Sequence, residues 1–250
     1  MTHKSPVLLT TRTFVVPKDG HAADECEDGY ACNNPAGRFA VADGASESIY
    51  AGEWARIMCE AFVADPAADG VGPWLDGARG RWSAHVSGQP APWHIAEKLE
   101  DGAFATFLGV VIQGGRWRAV ATGDTCLFLI HQDALRGAFP VSSTGAFGTR
   151  PDLVGSLPAG RVKSVAARGT VLPGDRLLLA TDALAEWFLR EHEAGRSPWR
   201  ELTGLSAADF PDWVTARRAD RRLKNDDVTL MEIEVNGVGG FADSVERPSS

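Results

Sequence analysis

Asp28, Asp43, Asp182 and Asp226 each stand in a short segment whose residue pattern could do chemistry. The segments are CEDGY, VADGAS, LLLATDALAEWF and KNDDVTL, and three of the four sit at the edge of an apolar stretch. A carboxylate at a strand end points out of a packed layer into a cleft. Several carboxylates meeting in one cleft repel each other and require cations between them. Oxygen-only donors favour hard ions, Mg²⁺ or Mn²⁺, over zinc or copper. Each segment also has a plainer reading. Asp43-Gly44 is common strand-to-helix turn chemistry, Asp182 suits a helix N-cap, and Glu27-Asp28 and Asp226-Asp227 suit charged turns. Their joint occurrence is what points to a metal-dependent enzyme.

The elements that would position these acids are legible from periodicity. Residues 46–64 (SESIYAGEWARIMCEAFVA) put Trp54, Ile57, Met58, Ala61 and Phe62 on one helical face, which predicts a helix N-capped by Ser46. From Phe104 the pattern changes to FLGVVI, a Gly114-Gly115 turn and RWRAVAT, a hairpin, followed by strands CLFLI and LRGAFPV. Turn-linked strands imply antiparallel pairing. FLGVVI, CLFLI and LLLA are almost continuously apolar, so both faces of each strand are covered. An antiparallel sheet covered twice needs a second sheet on one side and helices on the other. The expectation is an α+β fold, a four-layer α-β-β-α sandwich of two mostly antiparallel sheets flanked by helices. A helix from Ala183, another near Phe210 to Leu223, and a final strand VTLMEIEV complete it. The stretch from Asp65 to Pro92, rich in Gly, Pro and Asp, is expected to be a surface excursion with at most a short helix, anchored by Trp74, Trp82 and Trp93. Trp54, Trp187 and Trp213 fall at helical core positions. One domain over residues 1–235 and a disordered tail over 236–250 are expected.

Composition excludes several classes. The 250-residue chain carries a net charge of −8, which argues against a general nucleic-acid binder and a basic membrane-surface protein. No apolar run approaches the roughly 18 residues that span a bilayer, and the N-terminal segment lacks the apolar core of a secretory signal. Cys26, Cys32, Cys59 and Cys126 form no C-x-x-C pair and read as free thiols, so a cytoplasmic location is expected. The run Arg217, Arg218, Arg221, Arg222, Lys224 reads as a solvated helix face, with attraction of phosphopeptides as the second reading.

Taken in order, Glu27-Asp28, VADGAS, Thr106, GDTCLF, ATDALAEW and DDVT resemble the motif series of the metal-dependent protein phosphatases of the 2C type (PPM), in particular bacterial stand-alone members. The resemblance runs from about Asp24 to Val235. It implies the same sandwich fold. It implies hydrolysis of phosphoserine and phosphothreonine in proteins by a water that two Mn²⁺ or Mg²⁺ ions activate. In that scheme Asp43 bridges both ions, the Gly44 carbonyl binds one, Asp182 and Asp226 hold the other, and Asp28 acts mostly through bound water. Asp43, Asp182 and Asp226 then carry the catalysis. Asp124, in GDTCLF, would join Asp182 around a third ion, although a GD turn is also plain hairpin chemistry. Aligning Val228-Thr229 to the family pattern puts Asp226 on the metal. Asp227 then falls where members often have Asn, as a hydrogen-bonding turn residue that Asn could replace. The partners implied are a phosphorylated protein substrate and a cognate Ser/Thr kinase, with the chain acting as a monomer. Two departures stand out. Ala23 occupies the position where many members carry a phosphate-gripping Arg, and Ala45 the position where eukaryotic members often carry His. No residue is assigned to the phosphate, and Arg12, Lys18 and His21 are the nearby cations. The alternative is a catalytically weak or inactive module of the same fold that binds a kinase or phosphoprotein.

Overall fold

The computed structural model describes residues 7–68, 70–87, 99–148, 150–158 and 161–238. Two five-stranded antiparallel sheets form the centre. The first contains β2 (Asp28–Asn33), β3 (Arg38–Asp43), β5 (Phe107–Gln113), β6 (Arg116–Thr122) and β10 (Val165–Thr170), in the order β10-β6-β5-β3-β2. The second contains β1 (Val7–Val16), β7 (Cys126–His131), β8 (Ala134–Phe139), β11 (Arg176–Ala180) and β12 (Val228–Val238), in the order β1-β12-β11-β7-β8. A short pair, β4 (Phe104–Ala105) with β9 (Val154–Gly155), lies apart. The helices are α1 (Ala51–Ala64), α2 (Pro73–Ser87), α3 (Asp182–Glu193), α4 (Pro198–Thr203) and α5 (Asp209–Ala219).

Three apolar clusters define four layers. Phe39, Val41, Leu108, Leu127, Leu179 and Ile233 fill the space between the sheets. Ala40, Ala42 and Val111 face the opposite way, toward Trp54, Met58 and Phe62 of α1 and Trp74 of α2. Phe128 and Leu178 of the second sheet pack with Leu184 and Phe188 of α3 and Phe210 of α5. Alternate residues of β3 therefore serve two different cores, which is why the strand reads as an unbroken apolar run. The predicted α-β-β-α sandwich is the observed architecture. Gly114 and Gly115 both take positive φ at the β5–β6 turn, as a two-residue hairpin of this type demands.

Three local expectations need correction. The first helix begins at Ala51, not after Ser46, and its N-cap is Tyr50 in the left-handed region (φ 54°). The intervening chain is held elsewhere: the Gly44 N–H bonds the Glu27 carbonyl, the Ala45 N–H bonds the Phe104 carbonyl, and Ser46 Oγ donates to Glu27. The supposed excursion after Asp65 contains α2, a 15-residue helix that buries Trp74, Leu75, Ala78 and Trp82. Its Gly77 and Gly80 lie on the open side, where a Cβ would meet nothing within 4 Å, so their helix cost falls outside the packed face. Trp74 and Trp82 are anchors as expected, and Trp93 lies outside the described residues. Arg218 is not on a solvated face: it is buried and donates to the carbonyls of Pro17 and Asp226 and to Asp19. Strands β1 and β10 and helix α4 had no sequence signal that we recognised. β12 runs through Val238, opposite Val7, so residues 236–238 of the expected tail belong to a strand, and the rest of it, 239–250, lies outside the described residues.

Candidate active site

Strand register brings the acids to one end of the sandwich. In the first sheet Asp28 opens β2 directly opposite Asp43, which closes β3. In the second sheet Ala180 is opposite both Cys126 and Leu230. The end of β11 and the starts of β7 and β12 therefore coincide. Asp182, Asp124 and Asp226 lie immediately beyond those points.

The Asp28 carboxylate ties the two sheets together. Its Oδ2 accepts hydrogen bonds from Thr229 Oγ1 at 2.7 Å and Thr181 Oγ1 at 3.1 Å, both from the opposite sheet. Its Oδ1 is buried with no hydrogen-bond partner. Asp43 is fixed through its backbone. Its N–H donates to Thr106 Oγ1 at 3.3 Å, and its carbonyl accepts from the Thr106 N–H at 2.8 Å. Thr106 Oγ1 in turn meets Thr125 Oγ1 at 2.6 Å. Asp182 opens α3, with Thr181 as N-cap, and its Oδ1 accepts the Ala183 N–H at 2.5 Å. Gly44 is required by packing. A Cβ there would lie 2.6 Å from the Glu27 carbonyl oxygen and 2.8 Å from the Ala51 carbonyl carbon.

Electrostatics marks this group as unusual. Burial, followed by the charges of Asp28, Asp182, Asp226 and Asp124, holds the Asp43 carboxyl well above the usual range. Burial raises Asp28 as well, against the opposing effect of the Thr229 hydrogen bond. Asp182 is pushed up to about 6 by burial and then by Asp124 and Asp226, with Lys224 acting in the other direction. Burial also raises Asp124. Adjacent Cys26 is pushed up to about 12, chiefly by burial, and is a protonated thiol rather than a nucleophile.

The donor set fits hard divalent ions. All donors are oxygen, like charges converge, and the buried Asp28 Oδ1 has no partner of its own. Among the described residues no three His, Cys, Asp or Glu side chains stand close enough to hold one ion between them. Mg²⁺ and similar ions keep several waters and bind through one or two carboxylates each, so pairs of acids suffice.

Asp43 and Asp226 open onto a cleft of about 1060 Å³ that Gly44, Thr106 and, as its cation, Arg150 also line. Arg150 had no local signal in the chain; it follows the 3₁₀ turn Thr144–Ala146 and precedes Pro151. The cations considered from sequence are engaged or remote. Arg12 bonds Glu232 and the carbonyls of Thr203 and Leu205. Lys18 bonds Glu27 at 3.1 Å, and His21 is exposed. Ala23 lies exposed in a short 3₁₀ turn, Ala23–Glu25. Thr181 and Thr229 also escaped notice as positioning residues, although both stood in plain view beside the acids in ATDAL and DDVT, whereas Asp227 was expected to be a hydrogen-bonding residue. Asp227 is buried and accepts the Lys18 N–H on Oδ1 at 2.8 Å and the Glu27 N–H on Oδ2 at 2.7 Å.

No protein-family model matches the sequence, and comparison with curated proteins finds no match. Solved structures do match. The Mycobacterium tuberculosis serine/threonine phosphatase PstP/Ppp shares 17% identity at a TM-score of 0.63, covering 91% of this chain and 99% of its own. The catalytic domain of serine/threonine protein phosphatase PstP, solved with 2 manganese ions, shares 18% identity at 0.62, covering 92% and 99%. The S. agalactiae serine/threonine phosphatase shares 15% identity at 0.59, covering 91% and 100%. Identity this low speaks for architecture alone, and the architecture of this chain is the fold of the serine/threonine phosphatases of the 2C type.

Proposed function

We propose that the chain hydrolyses phosphoserine and phosphothreonine in proteins with two bound Mn²⁺ or Mg²⁺ ions. The observation that carries this reading is the gathering of Asp28, Asp43, Asp124, Asp182 and Asp226 at one end of the sandwich, close enough to raise one another's pKa, with Asp43 and Asp226 lining one cleft and the buried Asp28 Oδ1 left unpartnered. Asp43, at the join of the group, would hold both ions, with the Gly44 carbonyl on one and Asp182 and Asp226 on the other. Asp28 is held through Oδ2 by Thr181 and Thr229, which leaves Oδ1 without a protein partner, and it would act through water. Asp124 beside Asp182 suits a third ion. When bound, the ions supply Lewis acidity at the phosphoryl group and a lowered pKa for the attacking water. The bond from phosphorus to the serine or threonine oxygen breaks as the bond to the water oxygen forms. Arg150, the cation lining the cleft with Asp43 and Asp226, would grip the phosphoryl oxygens.

The test is hydrolysis of p-nitrophenyl phosphate and of a phosphothreonine peptide with Mn²⁺ or Mg²⁺ added. Turnover is expected with either ion and none in EDTA. Turnover that survives full chelation overturns the two-ion reading. A protein that binds Mn²⁺ yet turns over neither substrate is instead a non-catalytic module that docks a kinase or phosphoprotein.

A further inference from the structure

A second cleft, of about 920 Å³, adjoins the acid-lined one and shares Arg150 and Pro151 with it. Thr122, Asp124, Asp152, Arg161 and Lys163 also line it. Its cations are Arg150, Arg161 and Lys163, and its acids are Asp124 and Asp152. Lys163 is matched by Asp152 at 3.0 Å. Arg150 and Arg161 are both exposed and have no ion pair among the described residues. The cleft is not a chance gap between loose segments. Thr122 Oγ1 bonds the Lys163 carbonyl at 3.0 Å, which pins the chain beside Arg161 to the end of β6. Two unmatched guanidinium groups thus line one groove on a protein whose net charge is −8, and the groove leads straight to the acids that would do chemistry.

We propose that this groove receives the polypeptide flanking the phosphorylated residue and selects substrates with aspartate or glutamate in that flank. The proposal rests on the phosphatase reading above. With the phosphoryl group in the acid-lined cleft against Arg150, the peptide continues past Pro151 and sets an acidic side chain against Arg161. Guanidinium groups favour carboxylates because two parallel N–H donors match two oxygens. Unmatched surface cations also draw in oppositely charged ligands in a salt-dependent way.

The experiment compares kcat/KM for p-nitrophenyl phosphate and for two phosphothreonine peptides of equal length, one with Asp flanks and one with Asn flanks. At low salt the Asp peptide is expected to be preferred about three- to tenfold, as for a few exposed charge pairs, with the preference shrinking as salt rises. Arg161→Ala is expected to abolish the preference while leaving p-nitrophenyl phosphate turnover unchanged, and Arg161→Lys to keep part of it. Equal kcat/KM for the two peptides in the native protein, or a preference that survives Arg161→Ala, overturns the proposal. Should the protein turn over no substrate, the phosphatase reading fails first. Fluorescence anisotropy with the same two peptides, labelled, then decides the groove on binding alone: tighter Asp-peptide binding that Arg161→Ala removes supports it, and equal binding overturns it.

Discussion

Asp43 and Asp28 face each other across a strand pair, each raised chiefly by burial, with the Asp28 charge adding to the rise of Asp43 and Asp227 and Asp182 to that of Asp28. Like charges placed this way cost stability until cations arrive. Asp43→Asn is therefore expected to remove nearly all phosphatase turnover, a loss of several orders of magnitude, while the metal-free melting temperature stays the same or rises. Kinetics with p-nitrophenyl phosphate and a melt in EDTA check both halves, and near-native turnover would reduce Asp43 to a turn residue. Asp226 and Asp227 separate in a different way. Alternate side chains entering a strand point to opposite sides: Asp226 lines the cleft, while both oxygens of Asp227 accept backbone N–H groups from Lys18 and Glu27. The sequence expectation that Asn could stand in for Asp227 needs revision, because Asn has one acceptor and would turn an N–H₂ toward a backbone donor. Asp226→Asn is expected to cut turnover and Mn²⁺ affinity with the melting temperature kept. Asp227→Asn is expected to lose about 1–3 kcal/mol of stability and to loosen the segment bearing Asp28. A Mn²⁺ titration alongside thermal melts distinguishes them.

Elements position these residues by close approach. A Cβ on Gly29 would fall 2.4 Å from the Ala55 carbonyl carbon, so α1 sits directly on β2 next to Asp28. On the other side of the sandwich, the end of α3 is fastened to the chain that leads into Asp226. Glu191 is 3% exposed and bonds Arg196 and Arg222. These hydrogen bonds, Arg196 first, lower its carboxyl from 4.5 to about 2. A carboxylate whose folded pKa is depressed contributes stability that is fully present above its unfolded pKa and lost as pH falls through the folded one. The loss should therefore run from about pH 4.5 down to about 2. Glu191→Gln is expected to lower stability at neutral pH by about 1–3 kcal/mol and to flatten the acid limb of the stability curve. Urea unfolding at a series of pH values measures it, and an unchanged slope would show that the cluster is not coupled to folding. The α5 arginines follow the same logic: Arg217 pairs with Glu201 at 2.8 Å and Arg218 with Asp19 at 3.0 Å, so a run that looks like a solvated face is partly internal wiring.

At the scale of the whole molecule, the two sheets meet through the inter-sheet core and through bridging carboxylates, Asp28 bonded to Thr181 and Thr229 and Asp227 bonded to the Glu27 N–H. The cleft at that end draws acids from both sheets, so ions bound there would join the halves of the sandwich. Mn²⁺ is accordingly expected to raise the melting temperature, by an amount equivalent to about 2.7 kcal/mol at a hundredfold excess over Kd. The same shift should shrink sharply in Asp43→Asn. A melt that ignores Mn²⁺ in the native protein would argue that the acids hold no ion. Among the described residues no helix is long and apolar enough to cross a membrane.

The layer order was legible in the chain itself, because β3, β5, β7 and β11 are apolar on both faces and only a doubly covered sheet needs that. The acids were legible too, since Asp-Gly and Thr-Asp at strand ends stand out against apolar runs. Other features depended on contacts between residues far apart in sequence. α2 hid behind glycines because its helical character comes from two tryptophans meeting α1 rather than from propensity. The start of α1 was displaced to Ala51 because the expected cap, Ser46 Oγ, bonds Glu27, and Ser48 Oγ is tied to the Ala45 carbonyl and the Phe104 N–H. Arg150 carries no local signature, and only the fold brings it to the cleft that holds Asp43. Residue types and periodicity determined which layers form and which side chains could bind cations. Tertiary structure decided which of them share a cleft, because strand register and loop anchoring are set by pairings that no local window contains.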